Sequence, residues 1–148
     1  MEGIRTNIFK RVKKEQEQLN EFIVRVNSEQ DSILIHNALT LAANNTIEQM
    51  IKCKDVIQMS NLSVKREKQN SLGFIAHVNK NRDIRIELSD IDIIREALKE
   101  YKEKTAMDIK KSNHTSEEFD GLCEEIYICN KLLKQFKEDD KVENIVEE

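Results

Sequence analysis

The sequence predicts an α+β fold that is mainly α, and three observations predict it. Apolar residues recur at three-to-four spacing over most of the chain. Breakers are nearly missing, with no proline and three glycines in 148 residues. One central stretch, "SVKREKQNSLGFIAHVNKNRDIRIEL" at 63–88, alternates apolar and polar residues instead. The first spacing is that of an amphipathic helix and the last that of a half-buried strand, and without breakers the helices are free to run long. The length suits a single domain, 1–148, that buries a core without metal or disulfide support. It divides into a helical segment 1–54, a β segment 56–88, an αα-hairpin over 89–138 and an acidic tail 139–148 that frays.

In chain order, Ile8, Val12, Leu19, Phe22, Ile23 and Val26 form one stripe, which predicts an amphipathic helix over about 4–27. Asn27 and Ser28, followed by Glu29 and Asp31, end that helix or cap the next. Ile33, Leu34, Ala38, Leu41, Ala42, Ile47, Met50 and Ile51 carry helical spacing through 29–54, as a second helix or as one long bent one. From 56 onward the period changes. Phe74, Ala76 and Val78 alternate with Ile75 and His77, and Ile84, Ile86 and Leu88 alternate with Arg85 and Glu87 across the polar run Asn79–Asp83. That pattern predicts a central β-hairpin. Leu62 and Val64 extend it to a three-stranded antiparallel meander. Ser89 to Asp92 then resembles a helix start, with acids near its positive dipole end.

Ile91, Ile94, Leu98, Tyr101, Thr105 and Ile109 repeat like a heptad. After the polar break at 110–118, where Thr115 or Ser116 is placed to cap, Phe119, Leu122, Ile126, Cys129, Leu133 and Phe136 do the same. Two matched stripes across a short turn predict a C-terminal antiparallel αα-hairpin with coiled-coil-like packing. The stripes Ile8, Val12, Leu19, Phe22, Val26 and Phe119, Leu122, Ile126, Leu133, Phe136 are core or oligomer contacts. Long amphipathic helices in so short a chain carry more stripe than one core covers, so a homo-oligomer is expected.

The net charge of −4 hides an asymmetry. Residues 1–51 hold six cations and seven acids, 52–85 eight and three, 86–148 ten and eighteen. Lys65, Arg66, Lys68, Lys80, Arg82 and Arg85 surround the predicted strands and are the candidate partner-binding residues. A basic β-ribbon can track a phosphate backbone. Basic edge strands also simply resist aggregation, and these cations can pair with the acidic C-terminal half, within one chain or across an oligomer. Overall acidity and aromatics at 5% argue against general nucleic-acid affinity, since stacking platforms are scarce.

Little else in the sequence carries chemistry. His36, His77 and His114 are far apart and share no ligand spacing with Cys53, Cys123 or Cys129, so no metal or other cofactor is expected. Gly3, Gly73 and Gly121 are isolated, which excludes a phosphate-cradling loop, and no activated nucleophile stands beside a base. Glu117/Glu118 and Glu124/Glu125 lie on helix surfaces. Residues 1–14 lack an apolar run, and no stretch reaches the ~18 apolar residues of a membrane span. Reduced thiols, a cytoplasmic location and no membrane partner are therefore expected. Richness in Ile, Lys and Asn fits an AT-rich bacterial or phage genome. The expected function is a small non-enzymatic binding or regulatory protein acting through protein contacts. A nucleic-acid-binding regulator using the basic hairpin is the first alternative, and a small-ligand-binding oligomer the second.

Overall fold

The computed structural model describes residues 20–111 and 113–147, with 137–147 as backbone alone. The described residues are mostly helical, with four helices and one small antiparallel sheet among them. Strand β1 (Glu21–Val24) leads into helix α1 (Glu29–Lys52), which is followed by α2 (Val56–Val78) and strand β2 (Ile84–Glu87). A 3-10 turn (Leu88–Asp90) enters α3 (Ile91–Ile109), and α4 (Ser116–Glu147) completes the order.

The first correction concerns residues 20–27, where the structure has a strand rather than a helix. Phe22, Val24 and Val26 turn inward while Glu21, Ile23 and Arg25 face solvent. The stripe Phe22, Ile23, Val26 satisfies a helical period and Phe22, Val24, Val26 a period of two. Pairing with β2 decides between them: Phe22 stands opposite Ile86 and Val24 opposite Ile84, in the β-branched and aromatic company that sheets favour. Ile8, Val12 and Leu19 lie outside the described residues.

The second correction is larger. Residues 56–78 form a helix, so there is neither a 56–88 hairpin nor a strand at Leu62–Val64. Asp55 caps it, its carboxylate accepting from the Ile57 N–H at 3.1 Å, and Lys, Arg, Glu, Gln, Leu and Ala fill much of its interior. Five alternating residues cannot outweigh a 23-residue helix laid on α1. The inward face is Gln69, Leu72, Gly73 and Ala76, spaced three, one and three, while Phe74 and Val78 point out. The turn Asn79–Asp83 is real, with Asn81 in the left-handed region at φ 60°, a conformation Asn tolerates better than most residues.

Strand β2 keeps its predicted alternation, Ile84 and Ile86 buried and Arg85 and Glu87 exposed, but its partner is β1. Leu88 leaves the expected inward face for the 3-10 turn and is exposed. Helix α3 starts where expected, although the Asp90 carboxylate makes no cap and instead accepts from Lys68 Nζ at 2.9 Å. Helix α4 opens with a capping box. Its Glu118 N–H donates to Thr115 Oγ1 at 3.2 Å, and Glu118 Oε2 accepts the Thr115 N–H at 3.4 Å. The backbone is helical through Glu147, and no Gly or Pro interrupts it after Gly121.

One continuous core draws on every helix and both strands. Its centre is Ile35, Ala38, Leu39, Ile84, Ile94, Leu98, Leu132 and Phe136, and Phe22 stacks on Phe136 with ring centroids 5.5 Å apart. Beneath that layer lies a fully buried carboxylate. Asp31 Oδ1 accepts from Lys131 Nζ at 2.9 Å, and Oδ2 accepts the Asn27 N–H at 3.0 Å, tying α4 to the entry of α1. A buried charge is tolerable only when paired in this way.

Candidate partner-binding surface

Helix α2 carries both candidate features of the sequence, the basic cluster and the apolar alternation, and the helix sorts them differently from a hairpin. Its inner face is fastened to α1 by two polar contacts. Thr46 Oγ1 donates to Gln69 Oε1 at 2.9 Å, with both residues buried. The Gly73 carbonyl accepts from His36 Nδ1 at 2.9 Å. At Gly73 a Cβ would lie 3.4 Å from Leu39 Cβ, so the missing side chain lets the two helices approach.

The six candidate cations do not form one free basic face. Lys65 Nζ lies 3.7 Å from Glu96, Lys68 2.9 Å from Asp90, Lys80 3.8 Å from Glu29 and Arg85 3.9 Å from Glu21. Lys65 and Lys68 thus join α2 to α3 and its entry turn, the intrachain pairing with the acidic C-terminal half that was one of three expectations. The Asp90 hydrogen bond and charge hold the Lys68 ammonium above the ordinary lysine range. Arg66 is half-buried, with Nε lacking a hydrogen-bond partner among the described residues. Arg82 is exposed on the turn, where its N–H donates to the Asn79 carbonyl. Exposed pairs of this kind contribute little stability. They do cancel much of the field that a phosphate backbone would meet.

Apolar side chains occupy the remaining outward positions. On the face of α2 opposite its buried residues, Ile57 is 74% exposed, Val64 53%, Phe74 65% and Val78 59%. At the hairpin tip joining α1 to α2, Ile51 and Val56 are more exposed still. Single exposed apolar residues are ordinary, but a run of them along one element marks a contact surface. The sequence reading missed this face because it assigned Phe74 and Val78 to a covered sheet. The signal was nonetheless present: Ile57, Val64, Ser71 and Val78 stand seven apart.

The described residues of the predicted core or oligomer stripe fall into three groups. Val26, Leu133 and Phe136 are buried, Phe22 is half-buried against the core, Leu122 and Ile126 are half-buried, and Phe119 is exposed. Tyr101 donates from its hydroxyl to Glu125 Oε1 at 3.0 Å, and burial, then the Glu125 charge, push its pKa well up. Burial likewise raises the Cys129 thiol to about 11, with Glu125 adding to the effect.

His36 and His77 face each other at 5.1 Å between ring centroids, in a cleft of about 260 Å³ that Ser32, Ile33, Ala76 and Lys80 complete. No carboxylate or thiol lines it, and among the described residues no three metal-ligating side chains cluster. No described helix is long and apolar enough to cross a membrane. No family model, curated protein or solved structure matches the chain.

Proposed function

We propose that this is a small, non-enzymatic, cytoplasmic binding or regulatory protein, and that the outer face of α2 is its protein-contact surface. One observation carries the reading. Four of the eight cations that make residues 52–85 basic are paired with acids of the same chain, while Ile57, Val64, Phe74 and Val78 on the same segment remain uncovered. A surface of that kind attracts apolar protein side chains more than phosphates. The test is capture on the immobilised full chain, compared with a Val64→Lys/Phe74→Lys variant of unchanged thermal midpoint. Proteins retained by the first and lost by the second support the reading. Equal retention by both contradicts it. Salt-sensitive binding of duplex DNA or RNA that Arg66→Ala/Arg82→Ala abolishes replaces it with nucleic-acid recognition.

A further inference from the structure

We infer that His36 of α1 and His77 of α2 together bind a borderline divalent transition-metal ion, Zn²⁺ being the representative, with water completing its coordination. Imidazole nitrogen suits zinc, copper and nickel alike. The expectation of no metal rested on spacing along the sequence, which a pair drawn from two helices does not show. The first argument is the donor set. His36 Nδ1 lies 2.9 Å from the Gly73 carbonyl oxygen. A carbonyl only accepts, so Nδ1 carries the hydrogen, and the lone pair of the neutral ring sits on Nε2. A hydrogen bond from the other ring nitrogen orients metal-ligating histidines in the same way. His77 follows Gly73 by one helical turn and is exposed, so an ion can reach its ring from solvent.

The second argument is separation. The ring centroids stand 5.1 Å apart with their planes inclined by 39°. Two imidazoles on one tetrahedral ion, with metal–nitrogen bonds of ~2.0–2.1 Å, have centroids about 5 Å apart. The helices therefore already hold the rings at the separation that a shared ion requires. That separation is fixed by the fold. Thr46 is bonded to Gln69, α1 and α2 approach closely at Gly73, and the Asn81 N–H donates to Ser32 Oγ at 3.2 Å beside the pair. The cleft of about 260 Å³ leaves room for an ion and its waters. Charge acts in both directions. His77 sits in the last turn of α2, at the negative end of the helix dipole, which favours a cation. Lys80 lines the same cleft and opposes it, although Glu29 lies 3.8 Å from its Nζ and offsets part of that charge. Two protein ligands make a weaker and more open site than the four of a structural zinc centre.

The test is a Zn²⁺ titration of the full chain carrying Cys53→Ser and Cys123→Ser, which removes the half-buried and the exposed thiol as competing ligands. Calorimetry reads the stoichiometry, ring-nitrogen chemical shifts identify the ligands, and circular dichroism confirms that each variant stays folded. One saturable ion per chain is expected, shifting the ring nitrogens of His36 and His77 and leaving those of His114 in place. His77→Ala, at an exposed position, should weaken binding about tenfold or more. Lys80→Ala should tighten it by removing a like charge from the cleft. Titration without saturation overturns the site and leaves the two rings as a packing contact. Saturable binding that shifts His114 instead, or that is indifferent to His77→Ala, also overturns it. Weaker binding after Lys80→Ala would contradict the cleft as the place where the ion sits.

Discussion

The inner face of α4 and the outer face of α2 are both apolar stripes at helical spacing, and they meet opposite fates. Cys129, Leu132, Leu133 and Phe136 vanish into the core, whereas Ile57, Val64, Phe74 and Val78 stay in solvent. Apolar content does not separate them. The difference is that the chain supplies a layer opposite α4, with Phe22 stacked on Phe136 and Ile84 and Ile86 of β2 in the same core, and supplies none among the described residues for the outer side of α2. A stripe closed within the chain contributes to folding. One left open is available to a partner.

Truncating the two stripes should separate them most widely. Phe136→Ala empties a fully buried site and is expected to cost about 3–5 kcal/mol. Phe74→Ala should change stability by less than ~0.5 kcal/mol. Urea denaturation at low micromolar concentration measures both, and similar costs would erase the distinction. Next in size is Asp31→Ala, which strands the Asn27 N–H and Lys131. It should cost about 2–3 kcal/mol, below the usual loss for a broken buried pair because Lys131 can reach water. Thr46→Val removes the hydroxyl that binds Gln69 on the inner side of α2 and should cost about 1–2 kcal/mol. If it costs nothing, that inner face is not fastened as described.

The smallest effect is a pH dependence of the closed stripe. The Cys129 thiol is raised to about 11 by burial, so the unfolded chain ionises it first. Its contribution is complete below the unfolded thiol value of about 8.5 and is lost as pH rises through 11. Tyr101, also raised by burial, acts in the same direction. The thermal midpoint should fall over that alkaline window, and Cys129→Ala should flatten part of the fall. At pH 8 a thiol reagent should label Cys123, which is exposed, well before Cys129.

Elements with one self-consistent period were legible in the sequence. Helix α1, the alternation of Ile84 and Ile86, and helices α3 and α4 on either side of a polar break stood where periodicity put them, although Phe119 of the α4 stripe is exposed. The failures share a cause. Phe22, Ile23 and Val26 fit a helix, Phe22, Val24 and Val26 fit a strand, and only pairing with Ile84 and Ile86 chooses. Phe74, Ala76 and Val78 fit a strand, but Gln69, Leu72, Gly73 and Ala76 fit the helix that α1 covers. Short segments that satisfy two periods are decided by tertiary contacts that local pattern does not contain. The exposed outer face of α2 was hidden by the same ambiguity: Phe74 and Val78 read as strand residues mask the seven-residue spacing of Ile57, Val64 and Val78. The basic cluster was visible as composition, but the pairing of four of its six cations with Glu96, Asp90, Glu29 and Glu21 depends on the fold.

Hydroxyl-radical footprinting of Phe74 and Phe136 in one sample, repeated over a range of protein concentrations, tests the contrast between the stripes most directly. The open stripe requires Phe74 to be oxidised readily at the lowest concentration, while Phe136 stays protected throughout. Protection of Phe74 already present at the lowest concentration would mean that the chain itself covers the outer face of α2. Oxidation of Phe136 as fast as Phe74 would mean that α4 does not close the core. Either result would contradict the account.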